Sequence, residues 1–176
     1  MHLLLGALSR PRRGAPMTEP WAVVVGLGNE YRSDDAVGSI VASHIEKLDI
    51  PGVFVTISDG EPTSLLDIWA GVRLAVVIDA VRCEPSVPGR ICRTDFGLLR
   101  RAGTAASSHT LGIQEALPLG RALGRVPGMI VVIAVEVASL EPGVGLSEPV
   151  AAAVPRAVEA VLTELRRAEP TTRLRT

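Results

Sequence analysis

With 176 residues the chain has room for one domain, and at that size roughly 70% of the unfolded surface is buried on folding. A formal net charge of -1, from 18 basic and 19 acidic residues, excludes the clustered positive surface that displaces counterions from nucleic acid. No run approaches the 18 or more consecutive apolar residues of a membrane span, so neither nucleic acid nor a membrane is an expected partner.

Hydrophobic residues make up 47% of the chain but aromatics only 3%, so Val, Leu, Ile and Ala must fill the interior, as in a buried sheet. Cys83 and Cys92 are too few for a disulfide framework and lack a C-x-x-C pairing, which points to a reducing, cytoplasmic setting. Residues 1–20 carry a short apolar run followed by arginines, the reverse of a signal peptide. They are expected to be a disordered lead, with Met1 or Met17 as the start. Residues 21–168 form the single domain and 169–176 a disordered tail.

The first element is "WAVVVGLG" (21–28), an apolar, β-branched run ended by glycines, as expected of a strand buried on both faces. The helix after it extends to about residue 48, with Asp34 as its expected cap and Val37, Ile40, Val41 and Ile45 on one face. "PGVFVTISDG" (51–60) predicts a second strand, and "PTSLLDIWAG" (62–71), opening on proline and closing on glycine, a short helix. "LAVVIDA" (74–80) is a third strand and "GRICRTDF" (89–96) an edge strand; after the small-residue loop 104–109 a helix is predicted over 109–123, then a strand over 128–137. The segment 139–149 is predicted as loop, and the last helix covers about 147–167. Strands alternating with helices in this way predict a three-layer α/β/α sandwich around a mostly parallel, about five-stranded sheet.

Ligands of such sheets bind outside the carboxyl ends of the strands, and Asp34, Asp35, Asp59, Asp79 and the loop before His109 all fall there. The first turn lacks the third glycine of a dinucleotide fingerprint, having Tyr31 instead, and its adjacent carboxylates would repel a pyrophosphate. Asp35 is either a first-turn carboxylate favoured by the helix dipole or a group aimed across the strand ends. Asp79 is either a loop cap or a cation ligand, and His109 either a surface residue behind capping serines or a ligand. Asp59 with Gly60 makes either a turn or a site wall, and Glu61 reads as a helix cap more readily than as an oxygen ligand. Taken together, Asp35, Asp79 and His109 make an N/O donor set suited to a divalent ion such as Ni²⁺ or Zn²⁺. No G-x-S-x-G elbow is present, so covalent catalysis is not indicated.

"GLGNEYRSDDAVG" (26–38), "SDG" (58–60), "VVIDAVR" (76–82), "SSHTLGI" (107–113) and "SLEPGVGLS" (139–147) stand in an order and spacing that resemble the hydrogenase maturation proteases, from about Val23 to Leu165. The resemblance implies an α/β sandwich and an endopeptidase, classed with the aspartic type, that removes the C-terminal extension of a [NiFe]-hydrogenase large-subunit precursor once nickel is inserted. It implies that Asp35, Asp79 and His109 contact the precursor's nickel and are the catalytic residues, with Asp59 a further catalytic candidate only, and that no organic cofactor is used. The chain differs from some members in having aspartate at position 35 where they have glutamate, and "DGE" (59–61) where "DGG" is frequent.

Two other readings are weighed. Peptidyl-tRNA hydrolase also opens with a strand and a "GLGN" turn, but would carry a histidine soon after it and a basic RNA-facing surface, neither of which is found here. A non-catalytic binder that senses nickel loading would use the same three ligands and differ only in leaving the precursor uncut.

Overall fold

The structure, a computed structural model, describes residues 19–95 and 108–170. Most of the expected lead, most of the expected tail and most of the loop before His109 lie outside the described residues. Five strands, β1 (Ala22–Leu27), β2 (Val53–Ser58), β3 (Leu74–Val81), β4 (Ile91–Asp95) and β5 (Met129–Glu136), form one sheet in the order β2-β1-β3-β5-β4. The helices are α1 (Val37–Glu46), α2 (Pro62–Trp69), α3 (Ser108–Leu123) and α4 (Glu148–Ala168). The predicted elements are all present, with ends shifted by a residue or two.

β1, β2, β3 and β5 are mutually parallel and β4 runs antiparallel to β5. The reversal follows from chain length. Residues 82–90 between β3 and β4 contain no helix, and a connection that short cannot carry the chain back for a parallel crossover, which takes a dozen or more residues.

Strand alternation sends side chains to two cores. Val24, Val76 and Ile133 pack with Val41, Ala157 and Val161 beneath α1 and α4. Val25, Val77 and Val132 pack with Leu65, Trp69 and Ile113 beneath α2 and α3. Each such aliphatic side chain contributes roughly 1.5–3 kcal/mol on burial, so a nearly aromatic-free interior is sufficient. The three-layer sandwich is the predicted one.

Two acids fasten the margins of the sheet. Glu164 of α4, buried, receives Arg93 of β4 through Nε at 2.8 Å and a terminal nitrogen at 3.0 Å, and Arg167 at 2.8 Å. Glu136, fully buried at the end of β5, accepts the Val87 N–H at 2.8 Å and the Arg90 guanidinium. Burial first, and then the Glu136 charge, push the nearby Cys83 thiol above its ordinary pKa; neither cysteine is in a disulfide. Among the described residues no helix is long and apolar enough to cross a membrane.

One contact brings α1 down onto the sheet at its carboxyl end. A Cβ on Gly26 would lie 2.4 Å from the Gly38 carbonyl oxygen, and one on Gly38 would lie 2.1 Å from the Leu27 carbonyl oxygen. Only two glycines allow the start of this helix to touch the end of β1 backbone to backbone.

Candidate active site

Past β1 the chain turns at Gly28, whose φ of +136° suits glycine, and a Cβ there would lie 1.9 Å from the Asp35 carbonyl oxygen. The turn therefore folds directly onto Asp35. Its Asn29 N–H donates to Asp35 Oδ2 at 2.9 Å, while Asn29 Oδ1 accepts the Tyr31 N–H at 2.9 Å. A short 3₁₀ turn, Ser33–Ala36, then precedes α1 and carries both carboxylates.

Asp34 does not cap α1, contrary to expectation, because the 3₁₀ turn intervenes and the α1 N-cap is Ala36, with no side-chain cap. Its buried carboxylate instead holds a distant loop. Oδ1 accepts the Ser147 N–H at 2.6 Å, and Oδ2 accepts the Ser147 hydroxyl at 2.9 Å and the N–H groups of Ala138 at 3.0 Å and Ser139 at 3.3 Å. Backbone pairing reinforces the junction: Ser33 N–H donates to Gly143 O, and Gly143 N–H to Tyr31 O, each at 2.9 Å. Ser147 is itself the N-cap of α4. The acidic pair thus divides, one carboxylate being structural and the other, Asp35, 2% exposed and lining an open depression.

Asp79 lies near the end of β3, fully buried. By strand alternation it shares the face of Ala75 and Val77, the one covered by α2 and α3. Asp59 closes the turn after β2, with Oδ1 accepting the Glu61 N–H at 3.1 Å, and it lines the same depression as Asp35; turn and site wall are therefore compatible. Glu61 caps α2. Its Oε2 accepts the Thr63 hydroxyl at 2.6 Å and the Ser64 N–H at 2.8 Å, and these bonds, the Thr63 hydroxyl foremost, pull its pKa down to about 2.

α3 begins at Ser108 and is pressed onto the second turn. A Cβ on Gly112 would lie 1.9 Å from the Gly60 carbonyl oxygen, so the first turn of α3, which includes His109, stands beside the Asp59–Gly60 turn. The His109 side chain itself is outside the described residues. Among those that are described, no three His, Cys, Asp or Glu side chains gather closely enough to hold an ion.

The depression, about 1030 Å³, has Gly28, Asn29, Asp35 and Asp59 at one end and runs along the flank of α1 to His44 and Lys47. A buried carboxylate, Asp35, with the exposed Asp59 on the wall of the same open groove, suits a long substrate whose reacting part reaches the acids.

Residues 41–164 match the family model described as hydrogenase maturation protease. The chain is 30% identical over 152 residues to the hydrogenase 2 maturation protease of Escherichia coli K12, covering 82% of this chain and 90% of that protein. The chain belongs to the hydrogenase maturation protease family. It is accordingly a hydrolase, a peptidase. Among solved structures it is similar to the hydrogenase maturating endopeptidase HybD from E. coli, with a TM-score of 0.74 and 27% identity over 84% of this chain and 93% of that one. The fold is also that of the [NiFe] hydrogenase maturation protease HybD from Thermococcus kodakarensis, with a TM-score of 0.69 at 24% identity over 81% of this chain and 97% of that one.

Sequence reasoning overlooked two parts of the protease's site. Asn29 holds Asp35 through a backbone N–H, which its side chain does not announce. "SLEPGVGLS" was visible as a motif, but its role, supplying both ends of the loop that Asp34 clamps, depends on partners 104 to 113 positions away.

Proposed function

We propose that the protease is an endopeptidase that removes the C-terminal extension of a [NiFe]-hydrogenase large-subunit precursor, in the cytoplasm, after nickel has been inserted. The observation that carries this reading is the division of the acidic pair: Asp34 is satisfied by four donors from residues 138–147, while its neighbour Asp35 reaches the groove. The nickel belongs to the substrate. Asp35, Asp79 and His109, from the 3₁₀ turn before α1, the end of β3 and the first turn of α3, offer two carboxylates and an imidazole, a donor set that suits nickel with positions left for the precursor's own ligands.

In this reading the precursor's nickel is the recognition element. Held by these residues, it fixes one scissile bond beside the acids, and the resulting proximity supplies much of the selectivity and rate. Asp59, on the wall of the same groove, is available to orient the peptide or a water molecule.

The test follows the large subunit by gel shift and intact mass. Wild-type protease is expected to shorten the nickel-loaded precursor and leave the nickel-free one intact, and Asp35→Asn, Asp79→Asn and His109→Ala are each expected to stop cleavage. Normal processing by His109→Ala would overturn the role of nickel recognition, and binding of the loaded precursor without any change of mass would make the protein a loading checkpoint instead.

A further inference from the structure

β2 is an edge strand, and its open side has a definite pattern. Ala22 N–H donates to Gly52 O, with Ala22 opposite Val53. In a parallel ladder this turns the amide groups of Phe54, Thr56 and Ser58 toward β1 and those of Val55 and Ile57 outward. Among the described residues no backbone group pairs with them; the Ile57 carbonyl receives only a long bond, 3.4 Å, from the Thr56 hydroxyl.

Proteins ordinarily guard such an edge with charge, proline or a bulge, because it is a template for another strand. β2 reads "VFVTIS" and has none of these. Phe54 is 37% and Ile57 53% exposed.

The unguarded edge borders the site. Ile57 lines the same depression as Asp35 and Asp59, and Ser39 and Ser43, short side chains one turn apart on α1, leave that depression open. The depression follows α1 from Ala36 to Lys47, roughly 16 Å at the helical rise, and β2 spans roughly 20 Å. A row of outward N–H and C=O groups is complemented by a polypeptide backbone, and a peptidase must bring one to Asp35.

We propose that β2 is a docking edge: an extended segment of the precursor adjoining its scissile bond adds to the sheet as a sixth strand beside β2, and this pairing carries the bond to Asp35. The inference rests on the function proposed above. It implies that substrate is gripped through its backbone over about six residues, with nickel choosing the precursor and the strand setting the register.

The experiment measures cleavage of nickel-loaded precursor at varied concentration. Ile57→Pro, which deletes an outward N–H without breaking the β1 ladder, is expected to raise KM about tenfold with little change in kcat, and Ile57→Ala, which keeps the N–H, about twofold. A proline scan of the six precursor residues on each side of the cut, read with wild-type protease, is expected to raise KM at alternate positions on one side, and it decides the matter even where Ile57→Pro fails to fold. A flat scan with wild-type cleavage overturns the docking edge alone, whereas failure of wild-type protease to cut any loaded precursor overturns both proposals. A dimer in sedimentation that Ile57→Pro dissociates would give the edge to a second copy of the chain and likewise overturn it.

Discussion

Asp34 Oδ1 accepts the Ser147 backbone N–H at 2.6 Å across 113 positions of sequence, and with the three bonds to Oδ2 it fastens the loop before α4 to the turn that holds Asp35. Asp34→Ala is therefore expected to leave four part-buried donors without their common acceptor and cost about 3 kcal/mol of stability. Asp35→Asn should alter stability by less than about 1 kcal/mol while stopping cleavage. Urea unfolding alongside a processing assay separates the two neighbours; equal stability losses would refute the division of roles.

Ser147→Ala gives a graded version of the same test. The variant keeps the backbone N–H on Oδ1 and loses only the hydroxyl on Oδ2, so the expected cost is about 1 kcal/mol, well below that of Asp34→Ala.

Gly28→Ala is expected to damage stability and activity together. Its Cβ would fall 1.9 Å from the Asp35 carbonyl oxygen at a φ of +136°, forcing the turn and the Asp35 backbone apart at a cost of about 3 kcal/mol. Gly71→Ala is the control. Its φ is +78° but nothing lies within 4 Å, so only the left-handed backbone penalty of about 1–2 kcal/mol applies, with cleavage preserved.

Glu164 has its pKa held below the usual carboxylate range, by the Arg93 hydrogen bonds foremost. A lowered folded-state pKa stabilises above the unfolded value and loses that contribution as pH falls through the folded one. Glu164→Gln should thus be less stable than wild type near neutrality, by about 1–2 kcal/mol since both arginines can return to water, and the gap should narrow as acid is added. A gap independent of pH, followed by chemical denaturation, would contradict the ion pair's role.

Glu61 behaves the same way at the other end of the sheet. Its pKa of about 2 means the α2 cap stabilises fully above the ordinary glutamate range and is lost as pH falls toward 2. Glu61→Ala should lower the melting temperature at pH 6 by a few degrees, and the difference from wild type should fade in strong acid.

Much of this was legible in the chain itself because the informative signals were local. "AVVVGL" and "LAVVIDAV" could hardly be anything but strands buried on both faces, and Pro62 with Gly71 bracketed α2. The strand order was not legible, since an apolar run states that it is buried without naming its neighbours. The acidic pair shows the same limit: Asp34 looked like a cap for the adjacent helix, whereas its donors come from residues 138–147, a choice that only the tertiary contact makes. Glu61, whose partners lie within three residues, was read correctly as a cap, whereas Asp59, left open between turn and site wall, is found in a turn on the wall of the groove.

The clamp between Asp34 and Ser147 also places the site in time. A contact between residues this far apart carries a loop-closure cost that local contacts do not, and during synthesis the amino-terminal part of the chain emerges first. β1 and its glycine turn therefore leave the ribosome long before the residues that hold Asp34 exist. A chain interrupted between His109 and Ala138 carries all three candidate nickel contacts yet lacks every donor that fastens Asp34, so the turn that holds Asp35 gains its clamp only once the segment before α4 has been made.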